Sequence, residues 1–133
     1  MDTSALVALA DRADGCHAMA KAFLHSIPSG VRFHTSNYIL DETITRLRLT
    51  VGVDVAIRAA EALWASELYQ IHMVDHALER EALRLMRKYA DQRLSFTDCT
   101  TIALLKQLEM DQVFAFDEDF SKVGYRVLPE TLR

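Results

Sequence analysis

Along most of this chain, segments with helical apolar spacing alternate with short apolar runs, which restricts it to folds whose strands are joined by helical crossovers. Ala18, Met19, Ala22 and Phe23 recur at helical spacing up to His25 and Ser26, and Ile27-Pro28-Ser29-Gly30 then marks a turn. Val31-Arg32-Phe33-His34-Thr35 reads as a strand. Ser36 or Asn37 is placed to cap a helix reaching about Thr50, with Ile39, Ile44 and Leu47 inward. A helix over 53–66 and a strand over 69–73 follow. From Asp75, residues Leu78, Ala82, Leu85, Met86 and Tyr89 keep an amphipathic stripe. Ser95 opens a further helix through Leu108, and residues 113–116 and 125–128 read as the last strands.

Strands separated by helices imply an α/β domain of three layers, with a mainly parallel central sheet flanked by helices. The chain has 133 residues, half of them apolar, so a single domain over 1–133 can bury a core without staples. Its net charge of −4 is small and spread out, which excludes a general polyanion binder. A nucleic acid would have to be held by local basic side chains and metal ions. Cys16 and Cys99 form no metal-binding or disulfide pattern, which points to a reducing compartment. Neither a secretion signal nor a membrane-length apolar run is visible, so a soluble, cytoplasmic protein is expected.

In parallel sheets, ligands gather beyond the carboxyl ends of the strands. Asp117 directly follows the strand over 113–116, whereas Glu42 and Asp98 fall in the early turns of helices that can face the same crevice. Asp2 stands at the start of the chain. Four such carboxylates suit a hard divalent ion. Without one they would repel by about 4 kcal/mol per pair at 4 Å and an effective dielectric near 20. With one they can support phosphodiester hydrolysis without a Ser, Cys or His nucleophile. Each acid also has a structural role open to it. Ser95-Phe96-Thr97-Asp98 fits a capping box, Asp41 and Glu42 complement a helix dipole, and residues 117–119 fit a solvated turn.

The ordered set Asp2-Thr3-Ser4-Ala5-Leu6-Val7-Ala8-Leu9, Leu40-Asp41-Glu42-Thr43, Leu94-Ser95-Phe96-Thr97-Asp98 and Val113-Phe114-Ala115-Phe116-Asp117-Glu118-Asp119-Phe120 resembles the PIN domain. The likeness is to the VapC-type toxins of toxin–antitoxin pairs and spans nearly the whole chain. Each motif is short and degenerate, but the ordered combination is specific. The resemblance implies an endoribonuclease dependent on Mg²⁺ or Mn²⁺, with Asp2, Glu42, Asp98 and Asp117 as its acidic quartet. Ser4 matches the small polar position after the first acid, where it would orient Asp2, bond a metal-bound water or cap a helix. Asp119 is implied as an outlying acid. A homodimer and a cognate antitoxin that places a basic peptide in the acidic groove are implied as well.

The chain departs from the family pattern at its start, where only Met1 precedes Asp2 instead of several apolar residues of a first strand. The central strand is therefore expected to be truncated and Asp2 to lie on a loosely held terminus. That leaves a second reading, a catalytically weak or inactive PIN-like module that binds RNA or a protein partner. Arg46 is a candidate phosphate contact, whereas Arg84, Arg87, Lys88 and Arg93 read as a solvated face. His72 and His76 straddle a strand-to-helix change and are not expected to form a metal pair. Trp64 is expected to pack in the core or against a partner.

Overall fold

The computed structural model describes residues 1–130. The last three positions of the expected domain lie outside the described residues. The elements are α1 (Thr3–Ala10), α2 (His17–Ser26), β1 (Phe33–Ser36), α3 (Asn37–Thr50), α4 (Val53–Ala65), β2 (Tyr69–His72), α5 (His76–Lys88), α6 (Phe96–Gln107), β3 (Gln112–Phe114), α7 (Asp119–Lys122) and β4 (Arg126–Leu128). No described helix is long and apolar enough to cross a membrane.

Local chemistry starts and stops these helices near the expected positions. Ser36 Oγ accepts the Ile39 amide at 3.2 Å to open α3, and Asp75 Oδ1 accepts the Leu78 amide at 2.9 Å to open α5. At the end of α3, the Gly52 amide reaches back to the Leu47 carbonyl at 3.0 Å, with φ at +144°, a region that disfavours a side chain. Two helices are absent from the periodicity. Residues Thr3 and Ala5 to Ala8 of α1 are all buried, so this helix carries no polar stripe to advertise it. The other, α7, is only 4 residues long.

β1 pairs in parallel with β2, from Phe33 opposite Tyr69 to Ser36 opposite His72, and β3 pairs in parallel with β4. Between these two-stranded pieces lies the start of the chain. The Met1 amine donates to the His34 carbonyl at 2.7 Å, the Thr35 hydroxyl donates to the Met1 carbonyl at 3.1 Å, and the Asp2 amide donates to the Phe114 carbonyl at 2.9 Å. Two residues thus occupy the central position and tie β1 to β3. Beside them runs a cleft of about 360 Å³ lined by Met1, Phe33, Thr35, Leu104, Val113 and Phe114, among others.

Packing covers the strands from both sides. One buried cluster joins Leu78 and Leu85 of α5, Ile102 and Leu105 of α6, Val113 and Phe120. A second joins Met1, Leu6, Ile39, Leu40, Leu63 and Phe114, with the Phe23 ring edge-on to Phe114 at 4.6 Å, and a third, smaller one joins Val7, Leu47 and Ala56. Trp64 is 63% exposed and belongs to none of these clusters, which removes its expected core role. The strand expected over 113–116 ends at Phe114 because the Phe116 amide bonds the Ser4 hydroxyl instead of a ladder partner.

The Met1 amine is buried, and desolvation lowers its pKa to about 6. A short apolar extension ahead of Met1 would replace this amine by a peptide N–H and pair the facing edges of β1 and β3. A variant carrying three added apolar residues is expected to melt a few degrees higher than the chain itself, as read by differential scanning calorimetry. An unchanged or lower Tm would show that the cleft does not accept a strand.

Candidate active site

Each of β1 and β2 leads into a helix, so the N-termini of α3 and α5 lie near the carboxyl ends of the strands, with the positive ends of their backbone dipoles. α1 begins there as well, because the Asp2 amide is bonded to the last residue of β3. Contrary to the loosely held terminus expected from the sequence, Asp2 is only 4% exposed. Its Oδ2 accepts the Ser4 hydroxyl at 2.9 Å and the Ser4 amide at 3.4 Å. The Ser4 hydroxyl oxygen in turn accepts the Phe116 amide at 2.9 Å. Ser4 therefore both orients Asp2 and fastens it to the segment that leads to Asp117.

Asp98 lies in the first turn of α6, where its Oδ2 accepts the Ser95 amide at 3.0 Å and Ser95 Oγ accepts the Asp98 amide at 3.0 Å. The capping box is real, and the capped acid lies within electrostatic reach of Asp2 and Asp117. Burial pushes the Asp98 carboxyl up to about 6, with repulsion from Asp2 and Asp117 adding to it and the Ser95 bonds opposing. The Asp117 carboxyl is also raised, first by burial and then by repulsion from Asp119 and Asp2, against a 2.9 Å hydrogen bond from the Asp119 amide. Asp2, Asp98 and Asp117, far apart in sequence, thus form one electrostatic cluster.

The remaining sequence candidates stand around it. Glu42 is partly exposed on α3 and lies 3.9 Å from the Arg46 guanidinium. Asp119 forms a 3.4 Å ion pair with Lys122 at the start of α7. Arg84 is paired with Glu81 at 2.6 Å on the exposed face of α5, as the solvated-face reading expects. His72 bonds His34 at 2.8 Å while His76 bonds Arg80 at 3.1 Å, so the two histidines do not converge.

Two residues escaped the sequence reading. Tyr38 of α3 donates its hydroxyl to Glu79 of α5, and its ring meets that of Phe96, the first residue of α6, at 5.8 Å between centroids. The available signal was position: Tyr38 lies one helical turn before Glu42, and Phe96 two residues before Asp98.

Among the described residues, no three His, Cys, Asp or Glu side chains converge as a ready-made metal cage. Mg²⁺ needs no such cage, since it keeps several waters and is commonly held by one or two carboxylates. Hard oxygen donors partly withdrawn from water, with neighbouring carboxylates adding repulsion at Asp98 and Asp117, are a set that such an ion would relieve, so the donor chemistry fits.

Between about pH 4 and 6 the folded chain retains a proton on Asp98 that the unfolded chain releases, so metal-free stability falls as pH rises through that window. Asp98→Asn keeps an oxygen for the Ser95 amide and removes the charge. It is expected to flatten the pH dependence of urea unfolding in that window and to abolish stabilisation by added Mn²⁺. Ser4→Ala strips Asp2 of a donor and the Phe116 amide of its acceptor. It is expected to cost about 1–3 kcal/mol in the same unfolding assay and to weaken Mn²⁺ binding measured by calorimetry.

Comparison with known proteins places the chain among its relatives. The family model described as "PIN domain" matches residues 1–125. The chain is 34% identical over 131 residues to the "23S rRNA-specific endonuclease VapC20" of Mycobacterium tuberculosis, covering 98% of each protein. It is 27% identical over 117 residues to "Ribonuclease VapC26" of the same species, covering 88% of this chain and 84% of that protein. The crystal structure of M. tuberculosis VapC20, described as a "Sarcin-Ricin loop cleaving toxin", superposes with a TM-score of 0.87 at 32% identity, covering 93% of each chain. On the extent of these matches, the chain belongs to the PIN-domain family.

Proposed function

We propose that the chain is a divalent-metal-dependent endoribonuclease, the toxin of a toxin–antitoxin pair, and that it acts as one domain in the cytoplasm. The observation that carries this reading is the cluster of Asp2, Asp98 and Asp117, buried enough to raise the pKa of two of its members and supplied by three separate parts of the chain. Its support from kinship is the similarity to VapC20 and VapC26, whose names describe an endonuclease of 23S rRNA and a ribonuclease.

In this reading Asp2, Asp98 and Asp117 hold Mg²⁺ or Mn²⁺, and Glu42 joins them directly or through water. Such an ion, when bound, polarises the phosphate and lowers the pKa of a water. The chain's own residues do the positioning. Ser4 keeps Asp2 turned toward the site, and the capping box fixes Asp98. Asp119 restrains Asp117 through its amide, and Arg46 is available to a phosphate once it leaves Glu42. A sarcin–ricin-type loop is the substrate class to test first, given what the related crystal structure is described as cutting.

The inactive-module reading rested on a loosely held Asp2, and the buried, hydrogen-bonded Asp2 removes its main support. Homodimerisation and an antitoxin remain part of the proposal. Exposed Leu49, Val53, Ile57 and Trp64 near the α3–α4 corner and along α4 supply apolar surface for either.

With Mn²⁺, purified chain is expected to cut a sarcin–ricin-loop hairpin RNA. Asp98→Asn and Asp117→Asn should each lower kcat by at least about a hundredfold, and EDTA should stop the reaction. Cleavage that survives EDTA, or an Asp98→Asn variant as active as the parent, would refute metal-dependent hydrolysis at this site.

A further inference from the structure

We propose that Tyr38 and Phe96 form a stacking platform for a nucleobase next to the scissile phosphodiester, which makes Phe96 a specificity-determining residue. The inference deepens the nuclease reading above and rests on it. Tyr38 and Glu42 are one turn apart on α3, which puts their side chains on one helix face with Cβ atoms about 5–6 Å apart. Phe96 and Asp98 share the first turn of α6. The Tyr38–Phe96 contact therefore bridges the two helices that carry two of the site's acids.

The geometry keeps the two rings from covering each other's faces. The two rings meet at 56° rather than stacking on each other, and both residues are only half-buried. Tyr38 is held at one end by its bond to Glu79 and along its body by the cluster around Leu78, Leu85 and Ile102. Its ring is thus fixed before any ligand arrives, which limits the ordering cost of binding.

Charge explains why such a platform would be needed. The chain carries a net charge of −4, three aspartates crowd the site, and the adjacent Arg46 is paired with Glu42. A polyanion approaching this surface gains little from the overall field. Base stacking is indifferent to phosphate charge, and loop nucleotides of RNA present the unstacked faces it requires.

The test uses a sarcin–ricin-loop hairpin RNA, with binding followed by fluorescence anisotropy in EDTA and cleavage followed separately in Mn²⁺. Phe96→Leu, which keeps apolar bulk and removes the aromatic face, is expected to weaken binding about ten- to a hundredfold, while Phe96→Tyr stays near the parent. An abasic nucleotide at one loop position should weaken the parent by a similar factor and Phe96→Leu no further. If Phe96→Leu lowers Tm, Phe96→Met carries the same comparison. The platform is overturned if Phe96→Leu binds as the parent does, if the parent binds no hairpin, or if every abasic loss multiplies with the Phe96→Leu loss. Phe96-dependent binding without Mn²⁺-dependent cleavage would instead overturn the nuclease reading and leave the platform standing.

Discussion

Everything at the carboxyl edge of the strands depends on how residues 1 and 2 are stitched between β1 and β3. The two strand pairs share no ladder hydrogen bond with each other, and the Met1 amine, the Met1 carbonyl and the Asp2 amide bond across the gap. The same backbone bond that joins α1 to Phe114 sets the Asp2 carboxylate beside the segment carrying Asp117. Structural closure and site assembly are one event here.

Ser4 extends that stitching by one more link. Its hydroxyl donates to Asp2 and accepts from Phe116, so the acid at the start of the chain and the acid after β3 are positioned through one side chain. On the facing side, the Ser95–Asp98 capping box does for α6 what Ser4 does for α1. Each acid of the cluster is thus anchored by a hydrogen bond that also serves the backbone. Burial first, and repulsion between neighbouring carboxylates second, raise the Asp98 and Asp117 carboxyls above their ordinary range.

Much of the fold was legible because its signals are local. Ser36, Asp75 and Ser95 cap helices where a short polar side chain precedes an apolar period, and each does so within three residues of sequence. α1 was not legible, since a helix buried on nearly all sides has no periodic contrast. The end of β3 was misjudged by two residues because a side chain from α1 captured the next amide, which no window around residues 113–116 can reveal. At the site, the candidate acids follow from residue type and order, whereas the burial of Asp2 and the pairing of Glu42 with Arg46 come from packing.

The amino-acid sequence by itself determined the alternation of helices and strands, the caps, and the set of carboxylates available for chemistry. Those follow from periodicity and short-range hydrogen bonding along the chain. Only the tertiary structure decided that Asp2, Asp98 and Asp117 share one field, that Glu42 faces Arg46, and that Tyr38 meets Phe96 and Glu79. These relations join residues tens of positions apart, and they depend on strand pairing and helix packing that no local pattern encodes.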